Sequence, residues 1–320
     1  MVLTCGIVCI NQADNPEKSQ QVRSMGRIYA SAGKVRIWLG PATDEELDAV
    51  YPLFSPSALN LDELQNSIKE RHFLSHPGNP TSACSSLYDF VSRGWFTRRW
   101  VIQEVVLGRI VVVHRGDCKV PWGWFYHNAG ALMYAYETAP PYLLSLERAA
   151  AMREKLHTIT MMEYFKETPR TNFGTVSTDK IEAYERMFHL LQTYDKADCV
   201  DECDRLYSLY GLLPGARDCN EQPTGLILSC PVDYKIHFSY TYILFAGAAV
   251  EFGLSQKILE HAIMFGGLAQ QEESWPSWVP SWNTTRKLDD NNHLGLLRTS
   301  LQPPGITGFN DLWDSTAEEL

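Results

Sequence analysis

Apolar and polar positions follow two rhythms along the chain, and the switch between them predicts its architecture. Residues 1–10 form an apolar run broken by Gly6, which reads as a buried strand. The Asx-rich cluster 11–16 is a turn. Val22, Met25, Tyr29 and Ala32 then recur at helical spacing, predicting a helix over 17–32 that stops at Gly33. Residues 35–40 return to strand character. Strand, helix and strand in about forty residues make a βαβ unit, which implies a parallel sheet with a right-handed crossover. Its tips, at Asn11-Gln12 and Gly40-Pro41, are neighbours at the carboxyl edge of the sheet, where open α/β folds bind ligands. Residues 41–80 are polar and broken by prolines, with one short helix at 62–71. A second short helix at 86–93 turns Leu87, Phe90 and Val91 inward.

The stretch Gly94-Trp95-Phe96-Thr97-Arg98-Arg99-Trp100-Val101-Ile102-Gln103-Glu104-Val105-Val106-Leu107-Gly108 is sorted by helical and not by strand periodicity. As a helix, Trp100, Gln103, Glu104 and Leu107 share a front, and Val101, Ile102, Val105 and Val106 form an aliphatic back. That front combines an aromatic, an amide and a carboxylate. A further strand at 110–114 ends at Arg115-Gly116-Asp117. Beyond Val120 helical patterns dominate, at 121–135 (opened by Pro121), 141–157, 179–194, 204–212, 238–252 and 255–265. In the third of these, Ile181, Tyr184, Phe188 and Leu191 mark the inner face. Residues 275–282, rich in Trp and Pro, are expected to clamp onto the body, and the polar tail 284–320 is expected to be poorly ordered. The pattern divides the chain into an α/β part at 1–120, a mainly helical region at 121–283 and a tail at 284–320.

Composition narrows the chemistry. The 320 residues are 45% hydrophobic and 12% aromatic, enough for a sizeable core. A formal charge of −10 argues against a general nucleic-acid binder. The eight cysteines are scattered in a long chain with no secretory signal, so reduced thiols and a cytoplasmic setting are expected. Cys199 and Cys203 have zinc-compatible spacing but no second Cys or His pair nearby, so no metal is expected. The apolar runs at 1–10 and 240–250 are too short to span a membrane. No G-x-x-x-x-G-K-[ST], G-x-G-x-x-G or G-x-S-x-G motif occurs, which leaves no signal for a P-loop, a dinucleotide fold or a serine hydrolase.

Five blocks carry a family resemblance. Trp95-Phe96-x-Arg98-x-Trp100-Val101-Ile102-Gln103-Glu104 resembles the signature of the fungal heterokaryon incompatibility (HET) domain family. The blocks Cys9-Ile10-Asn11-Gln12, Val35-x-x-Trp38-Leu39-Gly40, Asp204-Arg205-x-Tyr207-x-Leu209-x-Gly211-Leu212 and Pro276-Ser277-Trp278-Val279-Pro280-Ser281-Trp282 follow in family order. The resemblance implies a TIR-like (flavodoxin-like) parallel sheet flanked by helices. It also implies a role in non-self recognition and programmed cell death, with other incompatibility proteins or a second copy as partners. Some TIR domains split NAD with a single glutamate, so the resemblance implies NAD as a substrate, with no resident cofactor. Glu104 would be the catalytic carboxylate, Trp95 and Trp100 the stacking walls and Arg98 the phosphate anchor. Gln103, Asn11, Gln12 and Trp38 would complete the substrate site. Two family features are missing: a further strand upstream, and an acidic residue where this chain has Gly6.

Each of these residues also has a plainer reading. Glu104 would pair with Arg98 or Arg99 to fix the helix. Asn11 would serve the turn, and Trp38 would be a buried strand tryptophan. Asp204 would be the N-cap of a helix whose Leu206, Leu209 and Leu213 pack inward. The corresponding functional alternatives are a non-catalytic module that assembles with partners, or an inactive truncated paralogue.

Overall fold

The computed structural model describes residues 11–44, 88–138, 146–167, 176–213, 230–265 and 275–284, together with 47, 50, 53 and 54. All of them belong to one compact unit, Met1–Arg286. The expected strand at 1–10, the helix at 62–71 and the tail beyond 284 lie outside the described residues.

Helix α1 (Asn15–Ser31) starts where the sequence places the turn. Asp14 caps it by accepting the Glu17 N–H at 3.0 Å, and Pro16 occupies the tolerated first turn. Ser19, Val22 and Met25 are its buried residues. Strand β1 (Val35–Trp38) pairs in parallel with β2 (Val111–Arg115), Val35 standing opposite Val111 and Trp38 opposite His114. The sheet then departs from the expected all-parallel form. Gly116, at φ 54°, turns the chain into β3 (Cys118–Pro121), which runs antiparallel to β2 with Arg115 opposite Cys118. A two-residue connection with positive φ at its first position suits such a hairpin. Pro121 closes this strand at an exposed position and does not open the next helix; lacking an N–H, it is tolerated at a strand end.

The central block is also not one helix. It splits into α2 (Gly94–Thr97) and α3 (Val101–Leu107), with Arg98 extended at φ −74°, ψ 134°. Distant backbone holds the break open: the Asp198 N–H donates to the Thr97 carbonyl at 2.6 Å, and the Arg99 N–H to the Asp198 carbonyl at 2.9 Å. Six of the seven residues of α3 are buried, the exception being Glu104, so there is no separate aliphatic back and open front. Its C-terminal end lies against the sheet at Gly108, where a Cβ would come within 2.6 Å of Val111 Cγ2 and 2.9 Å of Val35 Cγ2. A side chain there would push α3 off the strands.

The helical region follows the sequence pattern: α4 (Trp122–Thr138), α5 (Leu146–Glu167), α6 (Val176–Thr193), α7 (Asp204–Tyr207), a 3-10 turn (Tyr210–Leu212), α8 (Phe238–Glu251) and α9 (Ser255–Met264). The expected helix at 204–212 is thus two short pieces. α4 packs on α5 and on β2 and β3, while α1, α5 and the 3-10 turn surround α3. The Trp/Pro segment docks on α8 and α9: Trp282 is buried against Tyr242 and Phe245, and its Nε1 donates to His261 Nδ1 at 3.2 Å. The fold is mixed α/β, a small three-stranded sheet flanked by helices.

Candidate functional site

Glu104 is the one side chain of α3 that keeps contact with solvent, in the first turn of a helix otherwise enclosed by aliphatic packing. Two donors reach its carboxylate. Trp95 Nε1 on α2 donates to Oε2 at 3.4 Å, and the Tyr29 hydroxyl on α1 donates to Oε1 at 3.5 Å. Both bonds are long for charge-assisted contacts, which run nearer 2.7–2.9 Å. Burial pushes the carboxyl above its ordinary range; the Trp95 bond, the Arg98 charge and the Tyr29 bond oppose that shift without cancelling it. Among the described residues Glu104 has no ion pair within 4.0 Å, so neither Arg98 nor Arg99 locks it. Trp95 is itself held edge-on to Phe96 and tilted against buried Trp122. The arrangement is a partly desolvated carboxylate beside an indole, with a cation on the neighbouring turn.

The other residues of the block face a different task. Arg99 is buried; its Nε donates to the Arg205 carbonyl at 3.1 Å and its second guanidinium nitrogen to the Tyr194 carbonyl. Burial and the Arg205 charge lower its pKa to about 10. Gln103, expected on the open front, is turned into the packing, where its amide donates to the Ser208 carbonyl at 2.5 Å. Trp100 Nε1 donates to Asp204 Oδ2 at 2.9 Å, which fixes the indole at the head of α3.

Asp204 is the hub of that second cluster and is not a cap. The N-cap of α7 is Cys203, and it is Asp201 whose side chain accepts the Cys203 N–H, at 3.0 Å. The buried Asp204 carboxylate accepts from both Trp100 Nε1 and the Tyr234 hydroxyl. Burial still raises its pKa, outweighing those two bonds and the Lys18 charge. Lys18 lies 3.7 Å over the Tyr234 ring and pairs with Asp201 at 2.7 Å. The glycine of the same motif has a steric role: a Cβ on Gly211 would sit 2.7 Å from Gln103 Oε1 and 2.9 Å from Gly26 Cα.

Asn11 and Gln12 are exposed, and Asn11 Oδ1 accepts the Ala13 N–H at 3.1 Å, which is turn chemistry. Trp38 is exposed, not buried in its strand, and lies on the sheet face opposite the one where Val35 meets Gly108. The structure therefore gathers Glu104, Trp95 and Arg98, adds Tyr29, and leaves Trp38 elsewhere. Helical periodicity marked Tyr29 as inward-facing, but nothing in it showed that the hydroxyl reaches a residue of the central block. Cys203 and Cys230 are buried, and burial pushes the Cys199, Cys203 and Cys230 thiols up to about 11, 12 and 11, which suppresses thiolate reactivity. Among the described residues no group of three or more His, Cys, Asp or Glu is placed to hold a metal ion, and no helix is long and apolar enough to cross a membrane.

Residues 6–104 match the family model for Heterokaryon incompatibility protein (HET), a match whose last residue is Glu104. The chain is 26% identical, over 331 aligned positions, to Heterokaryon incompatibility protein 6, OR allele, of Neurospora crassa. That alignment covers 86% of this chain and 44% of the relative, so the chain spans less than half of the relative's length. No solved structure matches it. The motif blocks, the family match over residues 6–104 and the relative all point to the heterokaryon incompatibility domain family.

Proposed function

We propose that this protein acts in fungal heterokaryon incompatibility, promoting cell death on non-self recognition, and that it does so by splitting the nicotinamide–ribose bond of NAD at Glu104. The observation that carries this reading is the state of Glu104: partly desolvated, held by two long bonds and free of an ion pair. As nicotinamide leaves with the bonding electrons, positive charge develops on the ribose, which a nearby carboxylate stabilises until water adds to the anomeric carbon and gives up a proton. The pyridinium of NAD is also cationic, so its arrival would offset the cost of the half-buried charge and favour the ionised form of Glu104. Trp95 and Tyr29 orient the carboxylate, and Arg98 is the candidate anchor for the diphosphate. A TIR-like sheet belongs to the same reading, supported by the parallel β1–β2 pair.

The test is nicotinamide release from NAD by the purified chain, alongside NAD content in fungal cells expressing it. Glu104→Gln is expected to reduce turnover at least ~100-fold while leaving the melting temperature nearly unchanged. Equal turnover in both forms sinks the assignment. A second reading, an assembly module without catalysis, has its own support: Trp100 and Gln103 are both committed to holding the fold together. It predicts that cell death survives Glu104→Gln with NAD unchanged.

A further inference from the structure

Among the described residues, one face of the three-stranded sheet is open and basic. Alternation in β1 buries Val35 and Ile37 and turns Arg36 and Trp38 outward. Register carries that face across the sheet: Arg36 stands beside Val112 and then Pro121, and Trp38 beside His114 and then Lys119. Arg36, Lys119 and Pro121 are exposed, as is Lys34 at the start of β1, while Val112 and His114 are half-buried. Trp38, 59% exposed, is the most exposed aromatic among the described residues. The His114 imidazole is held below its ordinary range by burial first, and then by Arg36, Lys119 and Lys34 together, so three cations converge on one ring. The two segments that build the face, 34–40 and 111–121, contain one acidic residue, Asp117 in the hairpin turn.

This concentration of cations stands out in a chain whose net charge is −10. A solvated surface would intersperse both signs, and a parallel strand pair is ordinarily covered on both faces. We propose that this face docks an acidic, extended segment of a partner protein, which sets carboxylates on Arg36, Lys119 and Lys34 and an apolar side chain on Trp38. The occupant follows from charge. A long nucleic acid is repelled by the acidic body beyond the patch, and a second copy brings the same negative excess. A short peptide segment needs only the local complement, and the flat indole supplies the apolar anchor typical of interface centres. This surface is separate from Glu104 and does not depend on the chemistry proposed there.

The test uses the full chain and a fluorescently labelled peptide of alternating glutamate and leucine, with binding followed by anisotropy at about 50 and 300 mM salt. A lysine–leucine peptide is the charge control. The acidic peptide is expected to bind, and the lysine peptide is not. Arg36→Glu combined with Lys119→Glu should weaken binding at least ~10-fold and flatten its salt dependence. Trp38→Ser should weaken it at both salt concentrations alike. All three positions are exposed, so the melting temperature should be retained. Glu104→Gln must leave binding unchanged, which separates this surface from the proposed active site. Acidic-peptide binding that ignores these substitutions overturns the proposal. So does tighter binding of a single-stranded oligonucleotide through the same residues, or a concentration-dependent rise in mass abolished by the same variants.

Discussion

Glu104 is a half-buried carboxylate and Asp204 a buried one, and both are served by the same kinds of donor, one indole N–H and one phenol hydroxyl each. Trp100 reaches Asp204 at 2.9 Å and Tyr234 donates to its other oxygen, whereas Trp95 and Tyr29 stand 3.4 and 3.5 Å from Glu104. Burial raises the pKa of both groups, so burial alone does not separate a structural acid from a functional one. Each accepts one bond on each oxygen, and what separates them is exposure and the length of the indole bond. Asp204 is buried, and from α7 it ties Trp100, at the head of α3, to the segment at Tyr234. Glu104 keeps solvent access and is held only by long bonds, which is what a ligand can use.

Breaking the tight member should cost most. Asp204→Ala strands the Trp100 indole and the Tyr234 hydroxyl in the core, and a loss of about 3 kcal/mol is expected in denaturant unfolding. A loss below about 1 kcal/mol would place Asp204 in the same class as Glu104. Gly211→Ala comes next. Its new methyl would press on Gln103 Oε1 and the Gly26 backbone, with an expected cost of about 2 kcal/mol.

Glu104→Gln should change neutral-pH stability by less than about 1 kcal/mol, and its effect has a sign. The folded carboxyl titrates above its unfolded value, so the folded state holds the proton more tightly. The stability this contributes is complete below the unfolded pKa and is lost as pH rises through the folded one. Stability of the glutamine variant relative to the parent should therefore increase with pH across that window, as read from melting curves. A difference that decreases with rising pH would contradict the assigned direction. The Tyr29–Glu104 bond itself should contribute least, about 0.5 kcal/mol or less in Tyr29→Phe, because it is at the limit of hydrogen-bond length. If NAD turnover nonetheless falls steeply in that variant, the loose bond serves chemistry and not folding.

Local features were legible in the sequence. The Asx turn announced α1, strand character marked β1 and β2, and apolar spacing located α4, α5, α6, α8 and α9 within several residues at most ends. Glu104 and Trp95 could be paired in advance because they share one short motif. The misreadings have a common cause: a partner distant in the chain. The split between α2 and α3 depends on backbone bonds to Asp198, the inward turn of Gln103 on the Ser208 carbonyl, and the role of Asp204 on Trp100 and Tyr234. Periodicity carries no signal for contacts of that kind. The β3 hairpin was missed for a nearer reason: Gly116-Asp117 was read as the end of a strand when it is the turn between two.

The bonds from the Tyr234 N–H to Ser19 Oγ and from Asn15 Nδ2 to the Tyr234 carbonyl join positions 215 and 219 residues apart. During synthesis, α1 must therefore wait on the order of 10–40 s for its final partners to be translated, at ordinary elongation rates. Through that interval the buried face of α1, with Val22 and Met25, lacks part of its cover. A nascent chain in this state is expected to engage chaperones through that apolar face. A product terminated soon after Glu104 would carry the whole family-matched segment and still lack the carbonyls that secure Arg99 and Gln103. Such a product is expected to be degraded before it can act.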